Sequence, residues 1–132
     1  MVLLSRRKSV VNGIDYIADT NAVIYLLAGN VCMESFKDSS IALSVINEME
    51  LLSFPRITEQ ERCVIKELLS NCTIFPLDNE VKNRAICLRC GFGMKLPDAI
   101  VAATALVKHL PLITADKGFA RLPDLKLYLL KP

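Results

Sequence analysis

The segment Ile14-Asp15-Tyr16-Ile17-Ala18-Asp19-Thr20-Asn21 decides how this chain is read. A short strand-like run, Ile14 to Ala18, stops at an acid, and a helical pattern follows. Four more such runs recur downstream: Ile41 to Val45, Thr73 to Leu77, Leu112 to Thr114 and Lys126 to Leu130. Between them the apolar residues fall at helical spacing, as in Val64, Leu68 and Leu69, or Ile100, Ala103, Leu106 and Val107. Strands separated by helices of this length predict parallel crossovers, and so an α/β sandwich around a mainly parallel sheet of about five strands. Leu51 to Ser70 predicts two helices broken at Pro55, the second capped by Thr58 with Glu61 closing a capping box.

The 132 residues suit one domain. Hydrophobic residues make up 52%, with only 5 Gly and 6 Pro, which excludes a disordered or collagen-like chain. That apolar content is high for a small domain and predicts a surface that a partner chain covers. The longest apolar stretch, Ala99 to Val107, is closed by Asp98 and Lys108 and falls far short of the roughly 20 residues of a membrane span. At the N-terminus, Arg6-Arg7-Lys8 follows a very short apolar run, the reverse of a secretory signal. A cytoplasmic protein without a membrane role is expected. Residues 1–13 read as an extension, either unstructured or adding an edge strand, and 14–132 as the domain.

The formal net charge of +2 does not argue for nucleic acid by itself, so local patches would have to supply phosphate affinity. Five cysteines, 32, 63, 72, 87 and 90, lack the paired spacing of a zinc site. Cys87 and Cys90 form a C-x-x-C, which leaves a redox or metal role open, but inside a helical pattern they read rather as two reduced, packed thiols.

In open α/β sheets, sites form beyond the carboxyl ends of the strands. Asp19-Thr20-Asn21 follows the first run. Ser44 ends the second, with Asn47, Glu48 and Glu50 on the helix after it. Thr114-Ala115-Asp116 follows the fourth, and Asp98 opens the helix beginning near Pro97. Each acid has a bland role available: Asp19 and Asp116 as helix N-caps, Asp98 as a dipole partner, Glu48 and Glu50 as solvated residues. Those roles do not explain several acids on one rim. Carboxylates gathered without cations repel and raise one another's pKa. A hard divalent cation removes the repulsion, and Mg²⁺ or Mn²⁺ takes oxygen ligands while keeping positions open for water and phosphate.

Four motifs carry a resemblance: Ile17-Ala18-Asp19-Thr20-Asn21; Ser44-Val45-Ile46-Asn47 leading to Glu50-Leu51-Leu52; Lys95-Leu96-Pro97-Asp98-Ala99; and Thr114-Ala115-Asp116-Lys117-Gly118-Phe119. In this order they resemble the PIN-domain nucleases, most closely the small VapC-like ribonuclease toxins of type II toxin–antitoxin systems. The resemblance runs from Ile14 to about Leu130. It implies a three-layer PIN-like sandwich and a ribonuclease whose acids bind Mg²⁺ or Mn²⁺ and whose metal-activated water cleaves RNA. Carried over, the catalytic and metal-binding acids are Asp19, Glu50, Asp98 and Asp116, with Asn21, Ser44 and Thr114 as pocket neighbours. An antitoxin partner and a homodimer are implied as well. The chain departs from the family in the residues that precede its first aspartate.

Glu48 competes with Glu50 for the second position. On a helix the two lie about 200° apart and cannot both face one site. Spacing alone is ambiguous, because Glu48 lies four residues after Ser44 and Glu50 three after Asn47. Glu50 shares a flank with Asn47, Leu51 and Phe54, and the VapC-like pattern puts its acid six residues after the serine and just before leucine. Glu50 is the expected ligand.

Rival readings fit less well. A receiver domain needs an acidic pair after the first strand, where one Asp stands. A haloacid-type phosphatase needs an acid at Asn21. The single histidine, His109, lies at a helix C-terminus, which suits the dipole better than a nucleophilic triad. A PIN fold kept as a binding module would tend to lose acids, and all four positions are filled. Cleavage of DNA is the nearer rival, since the same metal chemistry breaks either backbone.

Overall fold

Five short strands run parallel in one sheet: β1 (Tyr16–Ala18), β2 (Ile41–Ser44), β3 (Thr73–Phe75), β4 (Leu112–Thr114) and β5 (Leu127–Leu129), in the order β3-β2-β1-β4-β5. The structure is a computed structural model that describes residues 13–132. Residues 1–12, nearly all of the expected extension, lie outside the described residues. Each strand lies within its expected run. Ile17 of β1 faces Ala42 on one side and Leu112 on the other, so the first strand is central.

Parallel pairing demands crossovers, and helices supply them: α1 (Thr20–Leu27), α2 (Val45–Leu52), α3 (Glu59–Ser70), α4 (Asn79–Phe92) and α5 (Leu96–Lys108). Alternation along the strands splits the apolar residues into two cores. On one face Ile17, Ala42 and Leu112 pack with Val81, Ala85 and Leu88 of α4 and the alanines of α5. On the other, Tyr16, Ala18, Leu43 and Ile113 pack with Val23, Leu51, Ile65 and Leu69 of α1 to α3. Helices therefore cover both faces, the expected three-layer sandwich. Truncating a side chain as enclosed as Ile17 or Leu51 would cost roughly 2–5 kcal/mol.

The break at Pro55 is present, between α2 and α3, with Arg56 in a left-handed turn at φ 64°. The capping box forms as well. Glu61 N donates to Thr58 Oγ1 at 3.0 Å, and Thr58 N donates to Glu61 Oε1 at 2.9 Å. These bonds hold the Glu61 carboxyl below its ordinary value. A 3-10 helix that the periodicity did not predict, Val31–Phe36, is pinned by the Phe36 ring set edge-on to Tyr16, 5.2 Å between centroids.

One expectation is overturned. Cys87 and Cys90 are exposed, because α4 buries the stripe Val81, Ala85 and Leu88 and both thiols stand on the opposite side. Among the described residues, no helix is long and apolar enough to cross a membrane.

Candidate functional site

An all-parallel sheet brings every strand's carboxyl end to one rim. Asp19 directly follows β1, Thr114 ends β4, and Asp116 lies two residues beyond. Glu50 comes from α2 and Asp98 from the first turn of α5. Asp19, Glu50, Asp98 and Asp116 line one cleft of about 480 Å³, joined by Thr20 and Asn21 and, on its apolar side, by Ile24 and Phe54. The rim thus gathers all four expected acids.

Asp19 is the anchor. It is buried, and its carboxylate caps α1 by accepting from Thr20 N at 2.9 Å. Oδ1 also accepts from Asn47 Nδ2 at 3.2 Å. Oδ2 accepts from Thr114 Oγ1 at 2.9 Å and, more distantly, from Asn21 Nδ2 at 3.4 Å. Burial pushes its pKa above the ordinary value and the charge of Glu50 adds to this, while the donors oppose. The bland reading of Asp19 as an N-cap therefore holds together with its place in the cleft. The same is true of Asp116, which caps the 3-10 helix Lys117–Arg121 by accepting from Gly118 N at 2.8 Å.

The sheet edge ties these acids together. The Thr114 hydroxyl donates to Asp19 and accepts from Asp116 N at 3.0 Å. Asn21 crosses from α1 to accept from Ala115 N at 3.0 Å. Two further polar side chains, outside the expected set, complete the network. Thr20 Oγ1 donates to Glu50 Oε1 at 2.7 Å and accepts from Asn47 Nδ2 at 2.9 Å. Asn47 is fully buried, and since a carboxylate can only accept, its amide must turn Nδ2 towards Asp19. Its Oδ1 is left buried without a partner. The available signal was spacing: Asn47 precedes Glu50 by three and shares its flank of α2.

Asp98 is half-buried. Burial raises its pKa, the charges of Asp19, Asp116 and Glu50 raise it further, and Lys95 opposes them. None of the four acids is ion-paired with a described residue; the ion pairs there are Glu34 with Lys37 and Glu59 with Arg62. Ser44 takes a different place. It is buried, accepts from Ile46 N at 3.2 Å as the cap of α2, and does not line the cleft. Nor does Glu48.

The donor set is all oxygen, uncompensated and partly desolvated, which suits a hard divalent cation. Among the described residues no three acids already stand in ligating geometry. Mg²⁺ does not require it: that ion is commonly held by one or two carboxylates with waters and substrate phosphate completing the octahedron.

The PIN domain family model matches residues 16–125. No curated protein matches the sequence. Among solved structures, a toxin–antitoxin complex from Klebsiella pneumoniae is 29% identical, covering 84% of this chain and 95% of that one, with a TM-score of 0.74. VapBC2 from Rickettsia felis, bound to a DNA fragment from its promoter, is 22% identical over 89% of this chain and 100% of that one, TM-score 0.74. DNA-bound VapBC from Salmonella typhimurium is 18% identical over 87% and 97%, TM-score 0.76.

Proposed function

The chain belongs to the PIN domain family, and on that premise we propose that it is a divalent-metal-dependent ribonuclease, the toxin of a toxin–antitoxin pair. The observation that carries the reading is the cleft itself: four carboxylates on one rim, none ion-paired with a described residue. Asp19, Glu50, Asp98 and Asp116 would hold Mg²⁺ or Mn²⁺. When bound, the ion supplies a Lewis acid for the phosphodiester and lowers the pKa of water. The chain's own part is orientation. Thr20 N, Asn47 and Thr114 fix both oxygens of Asp19, while the Thr20 hydroxyl holds Glu50 Oε1. Among the described residues no side chain donates to Asp98 or Asp116, and only Oδ1 of Asp116 is held, by the Gly118 N–H.

Cleavage of single-stranded RNA with and without Mn²⁺, for the wild type and Asp98→Asn, tests the reading. EDTA should abolish cleavage, added Mg²⁺ or Mn²⁺ should restore it, and Asp98→Asn should be inert in both. Full activity in chelator would refute the metal role, and cleavage of a matched DNA alone would refute the ribonuclease. Asp19→Asn should be inert as well, since the amide keeps the shape and removes the charge.

The partner reading rests on an apolar groove of about 590 Å³ beside the cleft, lined by Ile24, Leu27, Phe54, Ile57 and Val64. Ile24, Leu27, Phe54 and Val64 are exposed there. Leu51 lines it as well, whereas its neighbour Leu52 packs into the domain's own core. An amphipathic helix of an antitoxin would cover this surface. The similar structures from Klebsiella, Rickettsia and Salmonella, toxin–antitoxin or VapBC complexes, support it. A homodimer and a cytoplasmic location complete the reading. Sedimentation at high concentration tests the dimer, and a strictly monomeric species would remove it.

A further inference from the structure

Next to the acid cleft lies a second, smaller one of about 270 Å³, and Asp98 and Asp116 line both. Their electrostatic character differs. The first holds four carboxylates and no cation, while the second carries Lys95 and Arg121. Both cations are exposed, and neither is ion-paired with a described residue. Arg121 is not a loose side chain. Its Nε donates to Gly118 O at 3.2 Å, which fixes the near end of the guanidinium and leaves its terminal amino groups for a ligand. Gly118 is also the residue whose N–H donates to Asp116 Oδ1, so Arg121 is tied to the same turn that positions an acid of the site. Lys95 immediately precedes α5, three residues before Asp98.

A polyanion that must place one phosphate among four carboxylates is repelled unless cations hold its neighbours. With a net charge of only +2, the protein as a whole offers little attraction. At its other end the acid cleft continues past Ile24 and Phe54 into the mainly apolar groove, where Arg56 is the only cation in the lining and Glu61 stands with it, against two cations in the smaller cleft. The strand's route is therefore directional. We propose that Lys95 and Arg121 form a phosphate subsite for single-stranded RNA, binding a backbone phosphate that flanks the scissile one, so that the substrate enters the acid cleft from the α5 side. The inference rests on the ribonuclease reading for the identity of the polymer. The guanidinium suits a bidentate grip on phosphate oxygens, and the ammonium acts as a point charge beside it.

The test is equilibrium binding of a labelled single-stranded oligoribonucleotide, with Ca²⁺ added to neutralise the acids, across a salt series. Cleavage kinetics with Mn²⁺ run in parallel. Lys95→Gln and Arg121→Gln should each weaken binding about tenfold at low salt and flatten the plot of log affinity against log salt by about 0.7. Lys95→Arg and Arg121→Lys should restore most of the affinity, which a purely structural role would not produce. In cleavage, KM should rise by the same factor while kcat stays within about twofold, as expected for lost ground-state binding. A double Lys95→Gln, Arg121→Gln variant that melts like the wild type yet keeps its affinity and salt slope overturns the subsite. If the RNA is bound through these two cations but never cleaved, the subsite stands and the ribonuclease reading falls.

Discussion

Asn47→Leu keeps the side chain's shape and removes its polar atoms, and its cost follows from the hydrogen bonds around it. Two donated bonds are lost, one to the neutral Thr20 hydroxyl at 2.9 Å and one to the Asp19 carboxylate at 3.2 Å. Together these are worth about 3 kcal/mol. No new orphan appears, because Asp19 Oδ1 keeps Thr20 N and the Thr20 hydroxyl keeps Glu50. The substitution also removes Asn47 Oδ1, the buried acceptor without a partner, whose desolvation costs about 1–3 kcal/mol. The net loss should be near 1 kcal/mol, about 4 °C in Tm for a domain of this size. Asn47→Asp has the same shape but turns a carboxylate towards Asp19 with no proton to offer, and should cost more than about 3 kcal/mol. Urea unfolding at pH 7 in EDTA measures both. A loss of about 3 kcal/mol or more for Asn47→Leu would refute the reasoning, because Oδ1 would then have a partner worth keeping, such as a buried water.

Asp19 and Asp98 have raised pKa values in the fold, so the native state holds their protons more tightly than the unfolded chain does. The stability this gives is fully present below the ordinary carboxylate pKa of about 3.9 and is lost as pH rises through the raised values. In EDTA, Asp98→Asn should match the wild type near pH 3 and be the more stable protein at pH 7, the gap opening as pH rises through the raised value; equal melting at pH 7 would contradict the repulsion. Glu50→Gln should abolish RNA cleavage at saturating Mn²⁺ while Glu48→Gln keeps it, and the opposite outcome would exchange their roles. In Gly118→Ala, the new Cβ would lie 3.1 Å from Asp116 Oδ1 and push that exposed carboxylate aside. Cleavage should fall several-fold with stability within about 0.5 kcal/mol, and unchanged cleavage would show that the position of Asp116 is not critical.

Periodicity was enough for the sheet and its helices because strands and helices bury their apolar residues at different repeats. The rim acids were legible for a related reason: in a parallel sheet, the residue after each strand lands on the same side. Ser44 shows the limit. It has the right place in the sequence, but its hydroxyl turns to the start of α2, a choice made by local backbone geometry that residue order does not express. Thr20 shows it again: spacing puts Asn47 and Glu50 on one flank of α2, but that the Thr20 hydroxyl links them is a matter of side-chain direction. The thiols of α4 were misjudged although periodicity alone would have placed them. Relative to the buried stripe of Val81, Ala85 and Leu88, Cys87 and Cys90 fall on the far side of a 3.6-residue helix.

The bond from Thr114 to Asp19 spans 95 residues of chain. During synthesis, β1 is made first and β4 almost last, although the two lie side by side. Until β4 emerges from the ribosome, Asp19 lacks its hydroxyl partner, one flank of β1 is bare, and Asp116 has not been added. The acid cleft is therefore complete only once β4 and the turn after it have been made. A product truncated before β4 lacks Thr114 and Asp116, and with them the hydroxyl that holds Asp19 and the fourth acid of the cleft.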